Sequence, residues 1–123
     1  MTDTKKEKDV NPPVFDYADF LARIDGDVEL LKEVIEIFLE DTPRLLSDLY
    51  TAIERNDLVA AERAAHTLKG AAANISACRL YAVSQEAQQV VKNKDREALD
   101  HMINIFEDNF KQLERELRRY IEK

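Results

Sequence analysis

NDLVAAERAAHTLKGAAANIS, residues 56–76, is the stretch whose reading decides the fold. Alanine, the strongest helix former, recurs through it, and no proline interrupts it. At about 100° per residue, Leu68, Ile75, Ala61 and Ala72 fall on one stripe, with Ala64 and Ala71 at its edge. Asp57 stands where an N-cap belongs. The spacing predicts an amphipathic helix from Leu58 to about Ile75.

Reading outward, the same period recurs on both sides. Val28 to about Arg55 places Leu31, Val34, Ile35, Phe38, Leu39, Leu45, Leu46, Leu49 and Ile53 at helical spacing, with Asp27 as the expected cap. Pro43 lies inside that run and removes one backbone donor, which predicts a bend rather than a break. Beyond residue 75, Ser76 is expected to cap a helix from Ala77 to about Lys92, and a last helix runs from about Arg96 to Tyr120. A short one spans Phe15 to Ile24. No stretch alternates with a period of two, and no hairpin turn signal occurs. Joints of two or three residues force neighbouring helices to run antiparallel. The fold class is therefore all-α: an antiparallel up-down-up-down four-helix bundle with a short extra N-terminal helix across one end. Residues 1–13, which are polar and closed by Pro12 and Pro13, read as a mobile tail; residues 14–123 make one domain.

Composition narrows the function. The 123-residue chain carries a formal net charge of −7, which argues against a nucleic-acid binder and against an anionic membrane surface. Cys78 is the only cysteine, so no intramolecular disulfide forms and a four-thiolate zinc site is excluded. A small, half-buried side chain is the expected role for it. With no apolar run able to span a bilayer and no signal-peptide core at the N-terminus, the chain is expected to be cytoplasmic.

One face of the central helix does not read as structural. On the wheel His66 points roughly opposite the apolar stripe, with Val59, Glu62, Lys69, Gly70 and Ala73 around it. Glycine inside a helix costs about 1 kcal/mol relative to alanine, yet Gly70 sits among alanines and away from the core stripe. A bare patch beside a projecting imidazole suits a partner that must approach very closely; a neighbouring helix crossing over this face is the other account of it. A neutral imidazole nitrogen is a nucleophile near neutral pH, histidine having a reference pKa of about 6.5. Phosphoryl transfer asks of a protein mainly in-line approach and charge stabilisation. Lys69, one turn from His66, can set an ammonium beside the phosphoryl oxygens. Glu62, Gly70 and Ala73 are the expected docking residues. The sequence has no GxxxxGK[ST] loop and no GxGxxG, so no nucleotide pocket is expected.

His66-Thr67-Leu68-Lys69-Gly70-Ala71-Ala72-Ala73-Asn74-Ile75 closely resembles the signature of the histidine-containing phosphotransfer (HPt) domain of multistep two-component phosphorelays. His66 matches the phosphorylated histidine, and Lys69 and Gly70 match the rest of its H-x-x-K-G core. The resemblance runs from about Phe15 to Tyr120. It implies a phosphorelay intermediary that takes a phosphoryl group onto His66 from a receiver-domain phosphoaspartate and passes it to the aspartate of another receiver. It implies Mg²⁺ on the partner receiver, no cofactor or metal of the chain's own, and no ATP-dependent kinase activity. The expected partners are receiver domains of response regulators or hybrid sensor kinases, met by a monomer. Gln88 falls where several members carry a glutamine near the histidine ring, with Gln85 and Gln89 close by. Ser76 departs from the glycine often found after this motif.

Two other readings compete. A non-catalytic helical interaction module would make His66 incidental but leaves Gly70 unexplained. A bundle metal enzyme would want inward carboxylates with Glu-x-x-His spacing, whereas Glu62 precedes His66 by four positions on the outward face. His101 has no convincing ligand set and reads as a surface or rim residue.

Overall fold

The computed structural model describes residues 12–122. Five helices follow one another: α1 Tyr17–Arg23, α2 Val28–Glu54, α3 Leu58–Asn74, α4 Cys78–Asn93 and α5 Arg96–Ile121. No strand occurs among the described residues. The long helices close a ring, because α2 and α4 each pack against both α3 and α5. With joints this short, the ring is the expected up-down-up-down bundle.

Aspartates start the helices. Asp16, Asp27, Asp57 and Asp95 each accept the backbone N–H three residues on, at 3.0–3.1 Å, which satisfies a donor that the helix itself leaves unpaired. Left-handed residues end four of them, Lys94 (φ 56°) being itself the C-cap of α4. Asp25, Asn56 and Ser76 follow the C-caps of α1, α2 and α3 with φ of 57°, 57° and 59°. The next amide donates back into the helix in each case: Gly26 to Leu21, Asp57 to Ala52 and Ala77 to Ala72, at 2.8, 2.8 and 2.9 Å. This is the Schellman closure. It turns the chain within three residues and so sets the antiparallel order.

Ser76 does not cap α4. The N-cap is Ala77, which offers no side-chain hydrogen bond. Ser76 is committed to closing α3, and a residue in that left-handed conformation cannot also aim its hydroxyl at the first turn of α4. The Oγ instead donates to Asp19 Oδ2 at 2.6 Å and accepts from Arg23 Nη1 at 2.9 Å. These bonds offset part of the cost, about 1–2 kcal/mol, of placing an L-residue there.

The first helix is shorter than its apolar pattern suggests. Asp16 takes the cap position, so α1 begins at Tyr17 and stops at Arg23, and Phe15 and Ile24 lie outside it. Phe15 packs edge-on against Phe20 and Tyr120, at 6.2 and 5.5 Å between ring centres, while Tyr17 stacks on Tyr120 at 4.5 Å. The Asp16 amide donates to the Ser76 carbonyl at 3.0 Å. Helix α1 thus lies across the end of the bundle that holds the α3–α4 turn and the C-terminus of α5. The expected tail lies outside the described residues except for Pro12 and Pro13. Their carbonyls accept from Arg79 Nε and the Arg79 amide, at 3.1 and 3.0 Å. At the other end Arg96 donates from Nη1 to the Ile53 carbonyl and satisfies the C-terminus of α2. Helix α2 runs unbroken through Pro43.

Phe106, Leu31, Ile35, Leu49, Leu68, Leu113 and Leu117 fill the interior. Helix α3 adds mostly alanine to it: Ala61, Ala65 and Ala72 are all fully buried. Small side chains on that stripe let α3 sit close against its neighbours, and a larger one there would have to displace them. Ala65→Leu is expected to destabilise the protein by about 1–3 kcal/mol. A lowered urea midpoint at unchanged slope would show it; an unmoved midpoint would mean that the alanine stripe is not closely packed.

Candidate functional site on the exposed flank of α3

The buried stripe of α3 dictates what its other side does. With Leu68, Ala61 and Ala72 turned inward, His66 stands exposed on the outer flank. Val59, two turns earlier on the same face, is 71% exposed. Gly70 is exposed as well, and a methyl group placed on it would meet no atom within 4 Å. Among the described residues nothing therefore needs the glycine, whose backbone is ordinary helix. Among the described residues no helix of the same protein crosses this face, so the alternative account finds no support there. Glu62, Lys69 and Ala73 are half-buried at the edges of the patch. The Ala73 carbonyl accepts from Arg23 Nη1 at 2.9 Å, so the patch ends where α1 is tied down.

Lys69 pairs with no carboxylate among the described residues. Its ammonium lies 6.0 Å from the centre of the Tyr81 ring, on α4. This contact fixes which side of α3 faces α4: the side of Lys69. Gln88 follows Tyr81 by two turns on the same face of α4 and is half-buried, whereas Gln85 and Gln89 are exposed. Because α3 and α4 run antiparallel from the turn at Ser76, Tyr81 falls level with the stretch after Lys69 and Gln88 falls nearer His66. Among the described residues Gln88 makes no hydrogen bond to His66. Tyr81 is the residue that sequence reasoning missed. A wheel drawn for one helix shows its faces but not which side chain of the next helix they meet.

The remaining candidates lie elsewhere. His101 is exposed near the start of α5, in a shallow depression that it shares with Asp95, Glu97 and Asp100. A phosphoryl group there would meet carboxylates. Cys78 is half-buried and its thiol donates to the Ser76 carbonyl at 3.5 Å. Its half-burial is as expected, and burial, and then the charges of Asp16 and Asp19, push its pKa up, which makes it weakly reactive. Among the described residues, no helix is long and apolar enough to cross a membrane.

The Hpt domain family model matches residues 33–122. The chain belongs to the Hpt domain family. It is a histidine phosphotransfer intermediary of phosphorelay signalling. Hpt proteins are phosphoryl carriers rather than kinases, and they interact with receiver domains. The match to the Hpt model starts in the second turn of α2 and takes in all of α3, α4 and α5, so α1 lies outside it. The crystal structure of histidine-containing phosphotransfer protein B (HptB) from Pseudomonas aeruginosa PAO1 shares the fold. It superposes with a TM-score of 0.82 at 18% identity, over 91% of this chain and 97% of that one. No curated protein sequence matches. The left-handed backbone at Ser76 is one that glycine would adopt without strain.

Proposed function

We propose that His66 is the phosphoryl acceptor and that the flank around it is where receiver domains dock. One observation carries this reading. Of the chain's two histidines, only His66 stands in solvent beside a bare turn of backbone and an ammonium that pairs with no carboxylate among the described residues; His101 stands among carboxylates. In the forward step, the lone pair of a neutral imidazole nitrogen attacks the phosphorus of a receiver's phosphoaspartate. The bond from phosphorus to the aspartyl oxygen breaks, and the carboxylate leaves with that electron pair. The reverse step gives the phosphoryl group to a second receiver's aspartate. Mg²⁺ on the receiver would offset charge on one side of the phosphoryl group, and Lys69 would do so on the other. Gln88 is proposed as a hydrogen-bonding neighbour of the ring. Glu62, Gly70 and Ala73 are proposed to meet the receiver, Gly70 by letting its aspartate-bearing loop come near the α3 backbone.

The chain would act as a cytoplasmic monomer, with no cofactor of its own and no ATP-dependent kinase activity. Incubation with phosphorylated receivers from the same genome tests the reading. Acid-labile, base-stable label should appear on the protein within the assay, and ATP alone should leave it unlabelled. Failure of every receiver to transfer would favour an interaction module without phosphotransfer.

Lys69→Ala should keep the fold and slow transfer by roughly tenfold, the scale of one ammonium acting in a partly wet site. Stopped-flow or quench-flow transfer at saturating receiver measures this. An unchanged rate would remove Lys69 from the mechanism.

A further inference from the structure

We propose that Tyr81 is a positioning residue for phosphoryl exchange, its ring holding the Lys69 ammonium ready on the His66 flank. The inference rests on the reading of Lys69 given above and adds a residue on a second helix to it. A lysine side chain has four rotatable bonds and, if free, spends most of its time away from any one target. The face of an aromatic ring carries partial negative charge and attracts a cation centred over it within about 6 Å. Lys69 Nζ lies at 6.0 Å from the Tyr81 ring centre, and no carboxylate competes for it among the described residues. The choice of partner matters chemically. A carboxylate at that place would hold the lysine more firmly but would cancel the charge that the phosphoryl oxygens need. A ring restrains the ammonium and leaves its charge whole.

Tyr81 is also placed to respond to docking. It is 37% exposed and borders a cleft shared with Ala72, Ala73 and Ala82, at the edge of the patch that includes Gly70. A receiver seated on that flank would remove water from the ring, and a desolvated cation–π contact is stronger than a wet one. The restraint on Lys69 would tighten when the phosphoryl group arrives.

The test compares wild type, Tyr81→Phe, Tyr81→Leu, Lys69→Ala and the Lys69→Ala/Tyr81→Leu double variant, with one phosphorylated receiver titrated to saturation. Tyr81→Leu should slow the saturating rate by about two- to fivefold, the rate equivalent of one exposed cation–π contact, without moving the half-saturating receiver concentration. Tyr81→Phe, which keeps the ring, should restore the rate. In the Lys69→Ala background, Tyr81→Leu should cost nothing more. In NMR spectra of the unphosphorylated protein, the Lys69 ε-methylene protons should be shifted upfield by the ring in wild type and Tyr81→Phe and return in Tyr81→Leu. A Tyr81→Leu defect that persists undiminished without Lys69 would overturn the proposal. So would a defect confined to the half-saturating concentration, or a wild-type rate in Tyr81→Leu when Lys69→Ala is slow. A wild-type rate in Lys69→Ala would instead bring down the reading of Lys69 itself, and the proposal with it.

Discussion

His66→Gln is expected to fold like the wild type and to take no phosphoryl label from any phosphorylated receiver. The side chain is exposed and makes no hydrogen bond or ion pair among the described residues, so its replacement disturbs no packing. Glutamine is a good helix former, and surface changes of this kind move stability by only about 0.5 kcal/mol either way. The amide nitrogen of glutamine has its lone pair delocalised into the carbonyl and is no nucleophile. Transfer should therefore fall to the background hydrolysis of the receiver, a loss limited only by assay sensitivity. His101→Gln should transfer normally. Circular dichroism and a thermal melt, run beside the transfer assay, separate loss of chemistry from loss of fold. Label surviving in His66→Gln would show that another group takes the phosphoryl.

Gly70→Gln should move stability and function in opposite directions. A Cβ at this exposed position meets nothing within 4 Å among the described residues, so the substitution starts without a clash and its side chain points to solvent. It removes the entropy cost of a glycine in a helix and should stabilise by about 0.5–1 kcal/mol, or about 2–5 °C in Tm. The same side chain would project from the bare patch one turn beyond His66. A receiver that must bring its aspartate within reach of the imidazole would meet it first. Receiver affinity should fall by at least about tenfold, the loss expected when a close interface is held apart. Isothermal titration with an unphosphorylated receiver measures this directly. A Gly70→Gln protein that is more stable and still binds normally would mean that the bare backbone is not the docking surface. The contrast with Ala65→Leu is instructive, since two enlargements on one helix are expected to act with opposite signs on stability because one position is sealed and the other open.

Most of the architecture was legible because it rests on local rules. The 3.6-residue period placed the five helices, and the short joints with aspartate caps set their antiparallel order. The orientation of His66 followed from the same wheel, since Leu68 and Ala61 can only be buried if the ring faces out. The misreadings have local causes as well. Ser76 looked like a cap because serine favours that position, but its left-handed backbone closes α3, and its hydroxyl serves Asp19 and Arg23, more than fifty residues away. The apolar pattern reads longer than α1 itself because Phe15 and Ile24 share the apolar character of the helix without sharing its backbone. The pairing of Tyr81 with Lys69 is not legible in the sequence because that contact joins two helices. Contacts of that kind depend on how adjacent wheels are rotated against each other, and no single wheel fixes that.

The most direct test of the central claim is to locate the phosphoryl group. The protein can be phosphorylated by a receiver, kept at alkaline pH, and fragmented under electron-transfer conditions that preserve phosphohistidine. The added mass should lie on His66 alone and vanish on brief acid treatment. A phosphoryl group found on His101 or on a carboxylate, with His66 unmodified in protein that is competent for transfer, would contradict the account.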